Sequence, residues 1–361
     1  LALHAGCALA DMEMVQFHPT GMVHPESLAG TLVTEAVRGE GGLLTNSKGE
    51  RYMSRYDAER MELSTRDRVA LANYREISEG RGTPNNGVYL DISHISKEVI
   101  LDKLPRMYRQ FMESQMLDIS KSPMEVAPTA HYSMGGVVVE AETHATAVSG
   151  LYAAGECTSG VHGANRLGGN SLAEILVFGK IAGEMAAEFS SELHIQKRSR
   201  AVIKLANQEL DDLTSNGEQL ARPLQRAVRD LMWKYCGVLR SGEGLEEGLR
   251  QLMEIKEAAK DVDVRPSAEG FTDLALALDL LGSIDSAEAT LRCAIERRES
   301  RGSHQRSDFT ELSKDHDVNY VINLESGNQV VSKHQVEPLP ADLEQAMNDY
   351  QELNVDGRLL E

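Results

Sequence analysis

The sequence of 361 residues has few cysteines and no long apolar run. Its four cysteines include no C-x-x-C pair, so they predict neither a disulfide framework nor an iron–sulfur cluster held by this chain alone. No segment approaches the ~20 apolar residues that a membrane-spanning helix needs. We therefore expect reduced thiols, no metal site and no membrane span within this sequence.

Positive charge is also scarce in this chain. There are 37 Lys and Arg residues against 56 Asp and Glu residues, which gives a formal net charge of −19. Such an acidic chain does not present a general surface for nucleic acid or for an anionic membrane. Any anionic substrate must therefore be held by a local cationic pocket. The apolar share of 41% is ordinary for a globular protein, and it excludes wholesale disorder.

The first 190 residues mix glycine-rich turns, short strands and helices. The apolar periodicity predicts helices over 64–79, over 97–117 with a break near Pro105, and over 171–189. Two of these helices carry start signals, since Ser64 and Ser171 are expected N-caps and Ser171 forms a capping-box pattern with Glu174. Short strands are expected at 88–92, 134–139 and 150–156.

Beyond residue 196 the glycine-rich strand signals stop. Long charged amphipathic segments follow and predict an antiparallel helical bundle. These segments lie at 198–214, 222–236, 243–260 and 271–299. Residues 301–361 carry 5 basic and 12 acidic residues, and they are expected to form a polar tail with weak strand signals at 318–324 and 329–331.

Two clusters in the first part of the chain contain charged and imidazole side chains. One combines QFHPTG at 16–21 with VTEAVRGEGG at 33–42, in which Glu35 and Arg38 share a helix face. Taken alone, such a pair is usually a solvated ion pair. The other is STRDR at 64–68, which alone indicates a charged first helical turn.

Two further clusters combine polar residues with glycines. In PTAHYSMGG at 128–136, His131 precedes glycines that allow close approach of a ligand to the backbone. In HGANRLGGNSL at 162–172, a glycine-rich loop opens a helix, whose free N–H groups favour an anionic or electron-rich group. The dinucleotide fingerprint G-x-G-x-x-G does not occur in the sequence.

Together and in this order, these clusters and the segment Arg298-Glu299-Ser300-Arg301-Gly302 resemble the flavoprotein subunit of the succinate dehydrogenase/fumarate reductase family, which includes L-aspartate oxidase. The resemblance runs from residue 1 to about 308. It implies an α+β or α/β multidomain fold with FAD as cofactor. Because the family begins with a further FAD-binding segment that carries the usual histidine for covalent attachment, this sequence leaves covalent attachment open.

The resemblance implies a domain order as well. It comprises the end of the first part of a Rossmann-like FAD-binding domain (1–14), a capping domain (15–125), the second part of the FAD-binding domain (126–190), a helical domain (196–300) and an acidic C-terminal tail (301–361).

The resemblance assigns substrate roles residue by residue. His18, Thr34, His131 and Arg166 match substrate-binding residues, and the planar guanidinium of Arg166 suits bidentate capture of a carboxylate. Arg66 matches the proposed proton donor or acceptor at the substrate carbon, and Glu35 and Arg38 match its proton relay. Arginine keeps its proton to pH above ~12, so Arg66 can act only as a transient relay.

The resemblance also assigns four positions to the cofactor. Glu156 matches a glutamate that binds the FAD ribitol chain, and Asn170, Ser171 and Leu172 are expected to line the flavin. The N-terminus of the helix at 171–189 would stabilise negative charge on the reduced ring.

The leading hypothesis is a flavoprotein that interconverts succinate and fumarate by hydride transfer with flavin N5. It implies an iron–sulfur protein as partner and, through it, membrane anchor subunits, with a peripheral position on the cytoplasmic face of the inner membrane. The alternative is L-aspartate oxidase, a stand-alone enzyme of NAD biosynthesis, towards which residues 62–67 and 90–94 lean. A third hypothesis is a non-catalytic fragment or assembly module.

Overall fold

The structure, a computed structural model, describes residues 1–194, 199–214, 217–265, 271–336 and 338–353. In chain order, strands β1–β8 are Leu9–Ala10, Val15–Met22, Leu43–Thr45, Val88–Asp91, Met124–Ser133, Gly136–Val137, Val318–Glu325 and Asn328–Gln335. Helices α1–α11 are Ala2–Ala5, Ala36–Gly39, Arg66–Glu76, Lys97–Lys103, Pro105–Gln115, Asn170–Glu192, Arg200–Leu213, Ala221–Cys236, Gly242–Ala258, Thr272–Glu296 and Ala341–Leu353. Within these described ranges, no helix is long and apolar enough to cross a membrane.

An antiparallel sheet of order β2-β5-β4-β3 forms the centre of the first structural unit. Helices α3, α4 and α5 pack around it, and their apolar side chains share one core with the inner face of the sheet. The predicted break at Pro105 is confirmed, since Pro105 occupies the first position of α5. Leu104, Met107 and Phe111 follow at helical spacing and are all buried, which fixes this corner of the unit.

Three helices, α8, α9 and α10, share a second core. The helices expected at 222–236, 243–260 and 271–299 are thus confirmed with small shifts in their bounds. The fourth expected member, α7, is exposed along its length and only Leu213 at its end packs against this core. Residue 198 of that expectation lies outside the described residues.

A second sheet of order β6-β1-β7-β8 joins distant parts of the chain. The hairpin β7–β8 pairs through β7 with β1, which in turn pairs with β6. Val318, Tyr320 and Ile322 of β7 are buried against α10. The strand signals at 318–324 and 329–331 are confirmed as β7 and β8. The description of 301–361 as a tail is wrong for 318–335, because every second residue of β7 is apolar and enters a core. Residues 337 and 354–361 of the expected tail lie outside the described residues.

Three local expectations need correction. Residues 150–156 form no strand, apart from one bridge between Tyr152 and Ala145, and only 151–154 are half-buried. Helix α3 begins after Thr65, and the hydroxyl of Ser64 donates to Asp57 instead of capping. Helix α6 begins after Gly169 without a side-chain cap, so the predicted capping box is absent.

Candidate active site

Five of the predicted residues line one cavity of about 550 Å³. They are His18 on β2, Thr34 and Glu35 before α2, Arg66 at the start of α3, and His131 on β5. A larger groove of about 1220 Å³ lies between β2, β5 and α8, and none of the predicted site residues lines it. The cavity that contains the charged and imidazole side chains is therefore the smaller one. It is bounded by the first sheet, α3 and the α4–α5 corner.

His18 is held as a neutral hydrogen-bond donor. It is 3% exposed, and its Nδ1 accepts the backbone N–H of Thr20 at 3.2 Å. A ring nitrogen that accepts has no proton, so the proton of the neutral ring is on Nε2. Burial, reinforced by His131 and Arg66, lowers the pKa of His18 to about 3. The residue therefore offers an N–H group without a full charge at neutral pH.

His131 is neutral for a similar reason but presents its other nitrogen. Its Nε2 lies 3.1 Å from a terminal nitrogen of Arg166, which can only donate. The remaining proton is therefore on Nδ1. Burial, followed by the charges of Arg166 and Arg66, lowers the pKa of His131. The rings of His18 and His131 meet edge to face with centroids 5.3 Å apart.

Arg166 is a buried guanidinium whose hydrogen-bond partners are all uncharged. It is 5% exposed, donates to Oε1 of Gln16 at 3.0 Å and lies 4.3 Å from the ring centroid of Tyr132. Its Nε is buried with no hydrogen-bond partner, and no carboxylate among the described residues lies within 4 Å of it. Because a buried cation without a counter-ion is costly, this position is suited to an external anion.

A line of three charged groups leads from the cavity. Oε2 of Glu35 accepts from Nε of Arg66 at 2.8 Å, and Oε1 accepts from Arg38 at 3.1 Å. Although partial burial alone would raise it, the hydrogen bonds and charges of the two arginines hold the pKa of Glu35 below its usual value. The side chain of Glu35 is 46% exposed. It thus connects Arg66 in the cavity with solvent.

The sequence motifs do not indicate which residues hold this arrangement. The amide of Gln16 donates to Asn165, whose own amide donates to Asp67 on α3, so the loop at 162–169 is tied to the first sheet and to α3. Beneath Arg166, the carboxylate of Glu174 accepts from the hydroxyl of Tyr132 and lies 3.0 Å from Nε2 of His162. These residues lie within or beside the motifs of the predicted site. Only their contacts show that they position other side chains and do not line the cavity themselves.

The four residues predicted to bind flavin surround the start of α6. Oε1 of Glu156 accepts the backbone N–H of Ser133, and Ser171 lies 3.5 Å from Arg166. Asn170 is exposed, and Leu172 is 66% exposed. Further along α6, Ile175, Leu176 and Val177 are exposed apolar residues as well. A helix N-terminus beside an apolar face fits a planar ring with an electron-rich edge, so these residues fit a flavin.

Comparisons with known proteins bear on both halves of the chain. Residues 1–172 match the family described as FAD binding domain, and residues 225–352 match that described as Fumarate reductase flavoprotein C-term. The chain is 46% identical over 337 residues to a subunit of the fumarate reductase (CoM/CoB) of Methanothermobacter marburgensis, covering 92% of this chain and 60% of the relative. It is 36% identical to the succinate dehydrogenase flavoprotein subunit of Rickettsia conorii, covering 92% of this chain and 58% of that protein.

Among solved structures, the chain resembles a mutant of FrdA from Escherichia coli quinol fumarate reductase. The TM-score is 0.87 at 34% sequence identity, and the match covers 94% of this chain and 61% of that chain. The chain thus spans about three fifths of the length of these relatives.

Proposed function

We propose that this chain, which belongs to the succinate dehydrogenase/fumarate reductase flavoprotein family, forms the dicarboxylate-binding and proton-transfer part of an enzyme that interconverts succinate and fumarate. Its cofactor is FAD. The relatives are named after both directions of this reaction, as fumarate reductases and as succinate dehydrogenases. The proposal therefore covers the reaction in both directions.

The charge balance of the cavity supports this substrate class. Arg66 and Arg38 share the single carboxylate of Glu35, which leaves one positive charge, and Arg166 adds a second. His18 and His131 are neutral at pH 7, because the pKa of each is lowered. Arg66 lines the cavity, whereas Arg166 is buried outside its lining and contacts the lining residue His131. The cavity and its immediate surroundings therefore carry a net charge of about +2, which matches a dicarboxylate dianion.

Each side chain has a defined task in substrate binding. Arg166 offers its positive charge and its unpartnered Nε–H to one carboxylate. Nδ1–H of His131 and the hydroxyl of Thr34 are separate donors that line the cavity. Nε2–H of His18 adds a neutral donor that can polarise the substrate without a desolvated charge. Glu156 and the residues 170–172 would hold FAD, which when bound accepts or supplies the hydride.

Proton transfer falls to Arg66. Its guanidinium lines the cavity and is hydrogen-bonded to Glu35, so a proton given to the substrate carbon can be replaced through Glu35 and Arg38. Since arginine holds its proton to pH above ~12, the neutral guanidine exists only transiently. The short connection to a half-exposed carboxylate is what makes rapid replacement possible.

The test of this role is Arg66→Lys in the FAD-loaded holoenzyme, with Arg68→Lys as the control. Arg68 lies on the same helix but is exposed, and its ion-pair partner in the described part of the chain is Asp57. We expect Arg66→Lys to lower kcat by at least about 10²-fold with normal flavin absorbance, because lysine cannot contact substrate and Glu35 in the same geometry. Near-normal succinate–dye turnover would refute the role, and peroxide formation from L-aspartate instead of succinate oxidation would favour the amino-acid oxidase.

Assembly belongs to the same proposal. The relatives from Rickettsia conorii and Escherichia coli are named as flavoprotein subunits. We propose that this chain passes electrons to an iron–sulfur partner protein and through it to membrane anchor subunits. Its position would then be peripheral on the cytoplasmic face of the inner membrane. Co-purification of an iron–sulfur protein with the tagged holoenzyme, checked by its visible absorbance, tests this arrangement.

A further inference from the structure

Two cations line the cavity without a part in the chemistry described above. Lys103 is the last residue of α4 and Arg106 lies in the first turn of α5, and both line the cavity with His18, Arg66 and His131. Both side chains are exposed. The intervening Leu104 and the following Met107 are buried in the first core, so the corner that carries the two cations is fixed.

Neither cation is neutralised by the protein. Lys103 has only Asp102 at 3.7 Å, with both side chains more than half exposed, and such a pair contributes little. Arg106 has no carboxylate within 4 Å among the described residues. The interior already carries the two charges that a dianion requires. Lys103 and Arg106 are therefore not needed to neutralise a bound substrate.

We propose that Lys103 and Arg106 form a cationic entrance that captures the dianionic substrate and guides it to the interior site, an inference that rests on the proposed function for its substrate class. The chain as a whole has a net charge of −19, so its average field repels a dicarboxylate. Two exposed cations at the mouth, of which Lys103 has only a weak contact with Asp102, reverse this field locally. The two cations raise the rate at which the substrate associates with the protein, and they take no part in hydride or proton transfer.

The test compares the double variant Lys103→Gln/Arg106→Gln with Arg109→Gln in the FAD-loaded holoenzyme. Arg109 is exposed on the same helix as Arg106 but lies outside the lining of this cavity, so its variant removes one nearby positive charge that is not at the entrance. At low salt we expect the double variant to lower kcat/KM for succinate by about tenfold with kcat unchanged. The difference should disappear towards 1 M salt, where the Debye length is about 3 Å.

A second measurement keeps the inference independent of turnover. Malonate is a dianion that cannot be dehydrogenated, and its association can be followed by stopped-flow flavin absorbance. The double variant should slow this association about tenfold at low salt, while Arg109→Gln should match the wild type. An unchanged rate and unchanged salt dependence in the double variant would overturn the entrance.

The two proposals fail in distinguishable ways. If wild-type protein captures malonate in a salt-dependent manner that the double variant loses, but turns over neither succinate nor fumarate, the proposed function fails and the entrance stands. If the wild type associates with no dianion at all, both are overturned. If kcat falls together with kcat/KM in the double variant, the two cations act in the chemical step and the entrance role is wrong.

Discussion

His18 shows at the scale of one residue how burial determines the protonation state. Its pKa of about 3 in the folded protein lies below the 6.5 of an unperturbed histidine, so the unfolded chain binds one more proton between these values. The stability that depends on this group is therefore complete above pH 6.5 and is lost as the pH falls towards 3.

Replacing His18 should make the protein less sensitive to acid. Between pH 7 and pH 5 we expect the wild type to lose about 2 kcal/mol more of its free energy of unfolding than His18→Gln, measured by chemical denaturation. His94→Gln, at an exposed position, is the control and should follow the wild type. Equal losses in the wild type and His18→Gln would show that His18 is protonated without cost.

Gly168 tests how closely the loop after Arg166 must approach Arg66, for which we propose a role in proton transfer. A Cβ at this position would lie 3.2 Å from a terminal nitrogen of Arg66. The guanidinium can move away, so Gly168→Ala should fold normally but lower turnover about tenfold, since small displacements of a catalytic group are costly. Gly179→Ala, with no heavy atom within 4 Å of its Cβ, should retain full turnover.

Sequence motifs predict the reacting residues better than their supports. The motifs place His18, Arg66 and His131 at one site, and all three line one cavity. They do not indicate Thr20, which sets the tautomer of His18, or Lys103 at the entrance. A hydroxyl residue two positions from a histidine and a lysine at a helix end are common patterns, and their tasks depend on contacts that the fold creates.

At the scale of elements, α6 shows why a local pattern can mislead. Ser171 and Glu174 have the spacing of a capping box, but Glu174 accepts from Tyr132 and contacts His162, residues far from it in sequence. The start of α6 is instead set by Gly169 with φ of 85°. The buried carboxylate of Glu174 therefore binds Tyr132 and His162 instead of the backbone N–H at the start of α6.

The stability of serine variants should separate a true cap from an apparent one. The hydroxyl of Ser96 accepts the N–H of Val99 at the start of α4. Ser96→Ala should therefore cost about 1 kcal/mol of unfolding free energy. Ser171→Ala should cost less than about 0.5 kcal/mol, because no cap bond is lost. A larger cost at Ser171 than at Ser96 would mean that α6 does depend on a serine cap.

At the scale of the whole molecule, Arg297 connects the two ends of the described chain. Its Nε donates to Glu13 at 2.5 Å, and its terminal nitrogens reach Glu299 and the carbonyl of Val318. The guanidinium also lies 4.7 Å from the ring centroid of Tyr320. The hairpin β7–β8 is thus fastened to the segment that precedes the active-site strand β2.

Tyr320→Ala should destabilise the whole protein. The side chain is fully buried, and removing a large buried aromatic group costs about 3–5 kcal/mol. Val330→Ala on the partner strand is the control and should cost less than about 1 kcal/mol, since that side chain is 38% exposed. Thermal unfolding of the two variants measures the difference. A cost at Tyr320 no greater than at Val330 would show that the hairpin is only loosely attached.

The mixed α and β architecture could be predicted because it depends on local periodicity and on motifs read in order. The place of residues 318–335 could not, because β7 pairs with a strand of two residues, Leu9–Ala10, more than 300 positions earlier. A strand that short leaves almost no periodic signal. The alternating apolar residues of β7 do give a strand signal at 318–324, but they do not indicate which strand β7 pairs with.

The position of β1 between β6 and β7 determines the order in which a growing chain can fold. The sheet β2-β5-β4-β3 uses only residues 15–133, so it can close while the ribosome is still adding the helical part. The other sheet is complete only at residue 335, where β8 ends, and until β7 has been synthesised one edge of β1 has no strand to pair with. A nascent chain stalled before residue 318 would therefore contain the finished sheet β2-β5-β4-β3 and an unfinished second sheet that lacks β7 and β8.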